Sequence, residues 1–296
     1  MTEAGAGWRR ALARELTRRA RMPASEAMQE AVAFGGTSRR IGITGPPGAG
    51  KSSLIARLAA HWVAAGDRVG VLAIDPSSPL SGGSLLGDRI RMDEIADDAN
   101  IFIRSLSSGV LGNGLCRNVL SLLDACEQAR FDHLVLETVG VGQVSHEAKP
   151  LVDTFALVLV PESGDTVQAM KAGVLEVADV YVVNKADRPE AELLASELRS
   201  IAMWRGQKEG WVPPVVLTSA RTGAGVSELV SAMEAHRRVV LTDGHRKRLE
   251  AVRRAYHLRS ILIDKVDEIA DLFDADLVNA STSDAFRVLI EHLGDC

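Results

Sequence analysis

Arg40-Ile41-Gly42-Ile43-Thr44-Gly45-Pro46-Pro47-Gly48-Ala49-Gly50-Lys51-Ser52 is the stretch from which the rest of the chain can be read. Its first five residues read as a buried strand, with β-branched Ile41, Ile43 and Thr44. Ser52 to Ala65 carries the apolar spacing of an amphipathic helix. Between them stands G-x-x-x-x-G-K-S, the P-loop pattern. The glycines of Gly45-Pro46-Pro47-Gly48-Ala49-Gly50 let the backbone curl so that successive N–H groups of the loop, the two prolines having none, converge on one point. The helix that follows aims its positive dipole end at the same point. Lys51 is expected to reach the outer phosphates of a nucleotide and the Ser52 hydroxyl to ligate Mg²⁺, with Ser53 beside them and Ala49 in the cradle.

Outward from this stretch, apolar β-branched runs alternate with helical patterns from about 37 to 240, the signature of an α/β domain with a mainly parallel central sheet flanked by helices. The expected strands are Ile41–Thr44, Val69–Ile74, Ile101–Arg104, Leu134–Glu137, Thr154–Val160, Val180–Asn184 and Val215–Thr218. Residues 1–36 read as an N-terminal extension of two short helices, the second opening at Pro23 and ending at Gly35-Gly36. Trp8, Leu12 and Leu16 stand at i, i+4, i+8, as for a helix lying on the body. The Arg-rich start is poor in the composition of a transit peptide, because Glu3 and Glu15 interrupt it. From 241 to 296 the chain reads as a helical arm. Leu249, Val252, Tyr256, Leu262, Val266, Ile269 and Phe273 approximate one stripe, which either docks on the body or pairs with another subunit, and a second helix is expected around Ser283–Leu293.

The nucleotide is chosen by Asn184-Lys185-Ala186-Asp187, directly after a strand. A carboxylate at Asp187 can accept both the N1–H and the exocyclic amine of guanine, and adenine offers no matching donors. Asn184 would brace the loop and the Lys185 stem would lie over the base. Ser219-Ala220, after the strand ending at Thr218 and with Arg221 beside it, is expected to offer a backbone N–H to guanine O6. Leu134-Val135-Leu136-Glu137 is an apolar strand ending in an acid, so Glu137 is a candidate for the Mg²⁺ shell, mostly through water. Asp75 and Asp88 bound a long Pro-, Ser- and Gly-rich loop and could complete that shell. Gly140 and Gly142 suit a loop that senses the γ-phosphate, and Gln143 is a candidate for orienting water. No arginine finger stands within these motifs, so intrinsic hydrolysis of GTP should be slow and accelerated by a partner.

The totals agree with a packed protein: of 296 residues 46% are hydrophobic and 25% charged, which suits a globular core rather than a disordered chain. A net charge of −5 argues against nucleic acid as the main partner, and no apolar run has the length of a membrane span. Three cysteines without C-x-x-C spacing indicate neither a disulfide framework nor a zinc site, which fits a cytoplasmic location.

GPPGAGKSS, AIDPSSPLSGGSLLGDRIRM, ETVGVGQ, PESGDTVQAMKAGVLEVADVYVVNKADRP and TSARTGAGVSEL together resemble the G-protein chaperones of adenosylcobalamin-dependent acyl-CoA mutases, the MeaB/ArgK type. The resemblance covers most of 37–240. It implies an all-parallel sheet and a homodimer formed through helical arms. It also implies a GTPase that binds a mutase, gates cobalamin delivery from an adenosyltransferase and helps to exchange damaged cofactor, with the cobalamin held by the mutase. By the same resemblance, Asp75 and Asp88 fall in a first switch, Glu137 in a second, and Pro161 to Lys171 in a third, where Lys171 couples the mutase to hydrolysis. The chain departs from the family after ETVGVGQ, reading Val144-Ser145-His146-Glu147 where Ser-Glu is common. A small-molecule kinase on the same P-loop is the competing expectation, and it lacks a recognisable substrate pocket or base. A nickel-delivery GTPase would call for His tracts or paired Cys and His ligands.

Overall fold

The computed structural model describes residues 3–34, 36–75, 93–107, 115–138, 143–161 and 173–272, together with 281, 283–284, 286–287 and 290. Asp88, Lys171, Gly140, Gly142 and Phe273 lie outside the described residues, as do the side chains of Asp75 and Gln143 and most of the helix expected around 283–293.

Among the described residues seven strands form one sheet: β1 Arg39–Thr44, β2 Val69–Asp75, β3 Ile101–Ser107, β4 His133–Thr138, β5 Thr154–Leu159, β6 Val180–Val183 and β7 Val215–Leu217. Their order is β3-β2-β4-β1-β5-β6-β7 and every pairing is parallel. Each expected strand is present, with ends shifted by up to three residues (β3 runs on to Ser107). β1 lies between β4 and β5, with Ile41 opposite both Val135 and Thr154. Every residue of β4 and β5 is buried, as a parallel sheet covered on both faces requires.

The strands alternate between two packed layers. Ile41, Ile43, Val71, Val135 and Val158 pack with Leu54, Ile55 and Leu58 of helix α3 (Lys51–Ala64) and with Leu229 and Met233 of α9 (Val226–Val240). On the other face Leu72, Ile74, Leu134, Leu136 and Phe155 pack with Leu12 and Leu16 of α1 (Glu3–Ala20) and with Leu120 and Leu123 of α5 (Val119–Gln128). Trp8 completes the expected α1 contact, its ring 5.9 Å from that of Phe131. A third cluster joins Leu157, Tyr181 and Val183 to Leu194 and Leu198 of α8 (Ala191–Glu209). Shorter helices are α2 (Ala24–Ala27), α4 (Asp93–Ala96), α6 (Gln143–Ala148) and α7 (Val174–Val177). The second N-terminal helix is thus a single turn: it does open after Pro23, but no helix continues to the glycines. Cys116 and Cys126 are buried free thiols whose pKa values burial pushes up to about 12, which leaves them unreactive.

α10 (Asp243–Leu272) corrects the expected apolar stripe. Ile269 is buried and Tyr256 half-buried, but Val252, Leu262 and Val266 are exposed. The side facing the body is largely polar because it meets carbonyls and carboxylates at the amino ends of the strands. Arg253 donates to Asp153 Oδ1 at 2.8 Å, to Pro150 O at 3.3 Å and to Phe34 O at 3.2 Å. Glu268 accepts from the Ala24 amide and from Arg117, while Ile261 packs with Met22, Ala24 and Ala27. α10 therefore holds the N-terminal segment and the sheet together. Among the described residues no helix is long and apolar enough to cross a membrane.

Candidate functional site

In an open parallel sheet the carboxyl ends of the central strands form a crevice where connections leave to either side. Here that crevice lies beyond β1, which passes from Thr44 straight into the glycine loop. Gly45 has φ 152°, and a Cβ on it would stand 2.1 Å from the Val158 carbonyl oxygen of β5. Gly50, φ 82°, caps the start of α3 and faces Asn184 so closely that a Cβ would fall 2.5 Å from its amide nitrogen. Only glycine fits these two places. Pro46 and Ala49 are buried, Pro47 and Gly48 exposed, and the Ala49 amide closes the turn on Pro46 O at 3.2 Å.

Lys51 folds back along its own loop, and its ammonium donates to Gly45 O at 2.9 Å and Pro46 O at 3.2 Å. The Ser52 hydroxyl donates to Glu137 Oε1 at 2.9 Å, both side chains being buried. Glu137 stands one residue from the end of β4, opposite Ile43 of β1 and Ala73 of β2. A hydroxyl and a carboxylate side by side, beside the start of α3, make a hard-oxygen donor pair. Such a pair fits Mg²⁺, which takes few carboxylates and keeps several waters. Asp75 closes β2, one strand over, and Gln143 opens α6.

A second cluster is built on Asn184, which follows β6 and is 1% exposed. Its side-chain amide donates to Ala49 O at 2.8 Å, and its Oδ1 accepts from the Ala220 amide at 3.1 Å and from Thr218 Oγ1 at 3.3 Å. One side chain thus ties the P-loop to the loop after β7. Lys185 follows with φ 59° and partial exposure. Asp187 accepts from Ser219 Oγ at 2.8 Å and from Arg221 at 3.0 Å. The Ser219 hydrogen bond, then that of Arg221, hold its carboxyl below the usual aspartate range. The Ala220 N–H is engaged by Asn184, whereas the Arg221 N–H makes no hydrogen bond among the described residues.

These groups surround a cavity of about 470 Å³ lined on one side by Asn184, Lys185, Asp187 and Ser219 to Arg221, and on the other by Gly50, Ser53, Arg57 and Ala60. Sequence reasoning missed Arg57, Ala60 and Arg188, which also line it. The signal was available for the first two, because Ser53, Arg57 and Ala60 share one face of α3. The structure brings Lys51, Ser52 and Glu137 together at one end and Asn184, Asp187, Ser219, Ala220 and Arg221 at the other.

A glycine-cradled loop feeding a helix, an all-parallel sheet and a base pocket after β6 and β7 define a P-loop GTPase, a GTP-hydrolysing enzyme that binds guanine nucleotide. Residues 10–273 match the family described as "Methylmalonyl Co-A mutase-associated GTPase MeaB". The chain belongs to the MeaB family. It is 39% identical over 272 residues to a putative GTPase of Caulobacter vibrioides, covering 89% of this chain and 83% of that one. It is 40% identical over 223 residues to the mouse protein named "Methylmalonic aciduria type A homolog, mitochondrial", covering 74% of this chain and 53% of that one. A solved structure titled LAO/AO transport system kinase shares the fold, with a TM-score of 0.68 at 24% identity over 99% of both chains.

Proposed function

We propose that this GTPase is a nucleotide-gated metallochaperone for an adenosylcobalamin-dependent acyl-CoA mutase, gating cobalamin loading, protection and reactivation. Its mutase link is supported by the family, whose description names methylmalonyl-CoA mutase association. The observation that carries the switch-like reading is Asn184, which joins an Ala49 carbonyl of the P-loop to the Ala220 amide of the base loop. Phosphate and base ends of such a site respond to one another, as a sensor requires.

In this reading Gly45 to Ser53 cradle the phosphates and Lys51 contacts the outer ones. Ser52 and Glu137 hold Mg²⁺, with Asp75 and Asp88 supplying further oxygens. Bound there, Mg²⁺ neutralises charge on the phosphates. Asp187 accepts from the guanine edge, Ser219, Ala220 and Arg221 frame it, and the Lys185 stem covers the ring. Gln143 orients water, and Lys171 couples the mutase to hydrolysis. Residues 1–36 form an N-terminal extension, 37–240 the GTPase domain and 241–296 a helical arm. The exposed Val252, Leu258, Leu262 and Val266 of α10 support pairing of that arm in a homodimer. The mutase holds the cobalamin, and an adenosyltransferase is the expected donor.

The test is pull-down of purified candidate mutases, with GTP turnover measured alone and with each. A slow basal rate raised by one mutase is expected. Absence of binding and stimulation across the mutases would remove the chaperone reading. Transfer of labelled γ-phosphate to an added small molecule instead of water would replace it with a kinase.

A further inference from the structure

Arg57 sits on α3, six residues after Lys51, on the face that lines the nucleotide cavity. Its side chain is exposed and contributes nothing to the apolar core, yet it makes two directed bonds. Nε donates to the Ala220 carbonyl at 2.9 Å and Nη2 to the Arg221 carbonyl at 3.2 Å. A planar guanidinium that spans two carbonyls fixes both peptide planes, which a single point charge cannot do. In a trans peptide the N–H points opposite to the C=O. Holding the Ala220 carbonyl therefore fixes the direction of the Arg221 N–H, the amide left without a hydrogen bond where Asn184 engages that of Ala220. Holding the Arg221 carbonyl fixes the backbone from which the Arg221 side chain reaches Asp187.

We infer that Arg57 is a positioning residue for purine recognition, setting the Arg221 N–H as the donor to the 6-oxo group of the base. The inference rests on the guanine-nucleotide reading of this cavity and adds to it a residue outside the base-reading motifs. It also makes α3, which starts at the phosphate cradle, the second strut between phosphate and base ends beside Asn184. The specificity has a clear chemistry. A 6-oxo purine offers an acceptor to this N–H, whereas a 6-amino purine presents a donor to a donor.

Full-length protein and its Arg57→Met and Arg57→Lys variants are titrated with GDP, IDP and ADP. IDP keeps the 6-oxo group and lacks only the 2-amino group that Asp187 reads. Arg57→Met is expected to weaken GDP and IDP each about tenfold, with ADP unmoved, the GDP:IDP ratio at its parent value and the melting temperature retained. Arg57→Lys, able to engage one carbonyl, falls between the two proteins. Unchanged affinity for all three nucleotides in Arg57→Met overturns the inference. Equal loss for all three also overturns it, because that pattern belongs to a contact with the shared ribose or phosphates. A parent protein that does not prefer GDP to ADP removes the guanine reading itself, and this is seen before any substitution is compared.

Discussion

Asp187 spends its two carboxylate oxygens on different donors, the Ser219 hydroxyl and the Arg221 guanidinium. In the proposed reading a guanine edge brings two more donors to the same group, and the preference would rest on a negative charge kept in place by its neighbours. Replacing Asp187 by Asn removes the charge and exchanges an acceptor for a donor. GDP affinity should fall ten- to a hundredfold, on the order expected for losing hydrogen bonds to a charged group. Xanthosine diphosphate, with an oxygen where guanine has its amine, should become the tighter ligand in a fluorescent-nucleotide competition. Below the glycine loop, Glu137→Gln keeps the shape of the Ser52 contact and removes its charge. GTP turnover should drop about a hundredfold with little change in melting temperature, comparable to deleting one electrostatic stabiliser of a transition state. An undiminished rate would remove Glu137 from the proposed Mg²⁺ shell. At this scale the P-loop and N-K-x-D were legible because backbone curvature and base complementarity demand particular residue types at fixed spacing. Arg57 was not, since an exposed arginine on a helix face looks the same whether it grips a loop or only water. The engagement of the Ala220 amide was equally hidden, because it depends on where Asn184 arrives from another strand.

The elements show where periodicity succeeds and where it misleads. α1 was legible because Trp8, Leu12 and Leu16 meet an apolar face made by Phe102, Phe131 and α5. For α10 the apolar stripe left docking on the body and pairing with another subunit both open, and the side that docks carries Arg253, His257 and Asp264, all buried. Such a face is invisible to a hydrophobic pattern: its partners are the carbonyls of Phe34 and Pro150 and the carboxylate of Asp153. Burial disfavours the Arg253 charge and moves its pKa down, so the partners are what keep the guanidinium charged there. Arg253→Met should leave Asp153 Oδ1 and two carbonyls without the Arg253 donor, Oδ2 keeping the Arg40 amide, and cost about 3 kcal/mol, at the low end for breaking a buried ion pair. Urea unfolding monitored by circular dichroism measures this. A loss no larger than that of Arg246→Met, at an exposed i, i+4 pair with Glu250, would show that α10 is held by its apolar contacts instead.

Across the whole molecule, the alternation of strand and helix patterns was sufficient for a parallel sheet, since each crossover needs a helix to return the chain to the same end. Strand order was not legible, because it depends on which face each crossover takes and therefore on packing between residues far apart in sequence. The resulting sheet separates two chemistries. The groups of the candidate site gather beyond the carboxyl ends of β1, β4, β6 and β7, and two buried histidines stand by the amino ends. His133 opens β4, stacks on Trp62 with ring centroids 4.1 Å apart and donates from Nε2 to Asp67. His236 of α9 lies 2.9 Å from Thr154 Oγ1, near Asp179 and the Trp211 ring. A third, His257, packs against the Phe34 ring beside α10. Desolvation lowers the pKa of all three despite nearby carboxylates, so the folded protein holds them neutral. The unfolded chain takes up protons at these positions first as pH falls through about 6.5, and stability must decline from there downward, by at most about 1.4 kcal/mol per pH unit for each histidine. Asp264 acts in the opposite sense at lower pH, because burial raises its carboxyl and the folded state binds that proton more readily. Melting temperature should therefore be flat above neutrality and fall between about pH 6.5 and 5, with Asp264 reducing the slope only near the acid end. His236→Gln, which keeps a polar group near Thr154 and cannot titrate, should make the decline shallower while lowering the plateau. A decline of unchanged steepness in that variant, once its plateau is matched, would show that His236 is not one of the groups that set the acid limit of the fold.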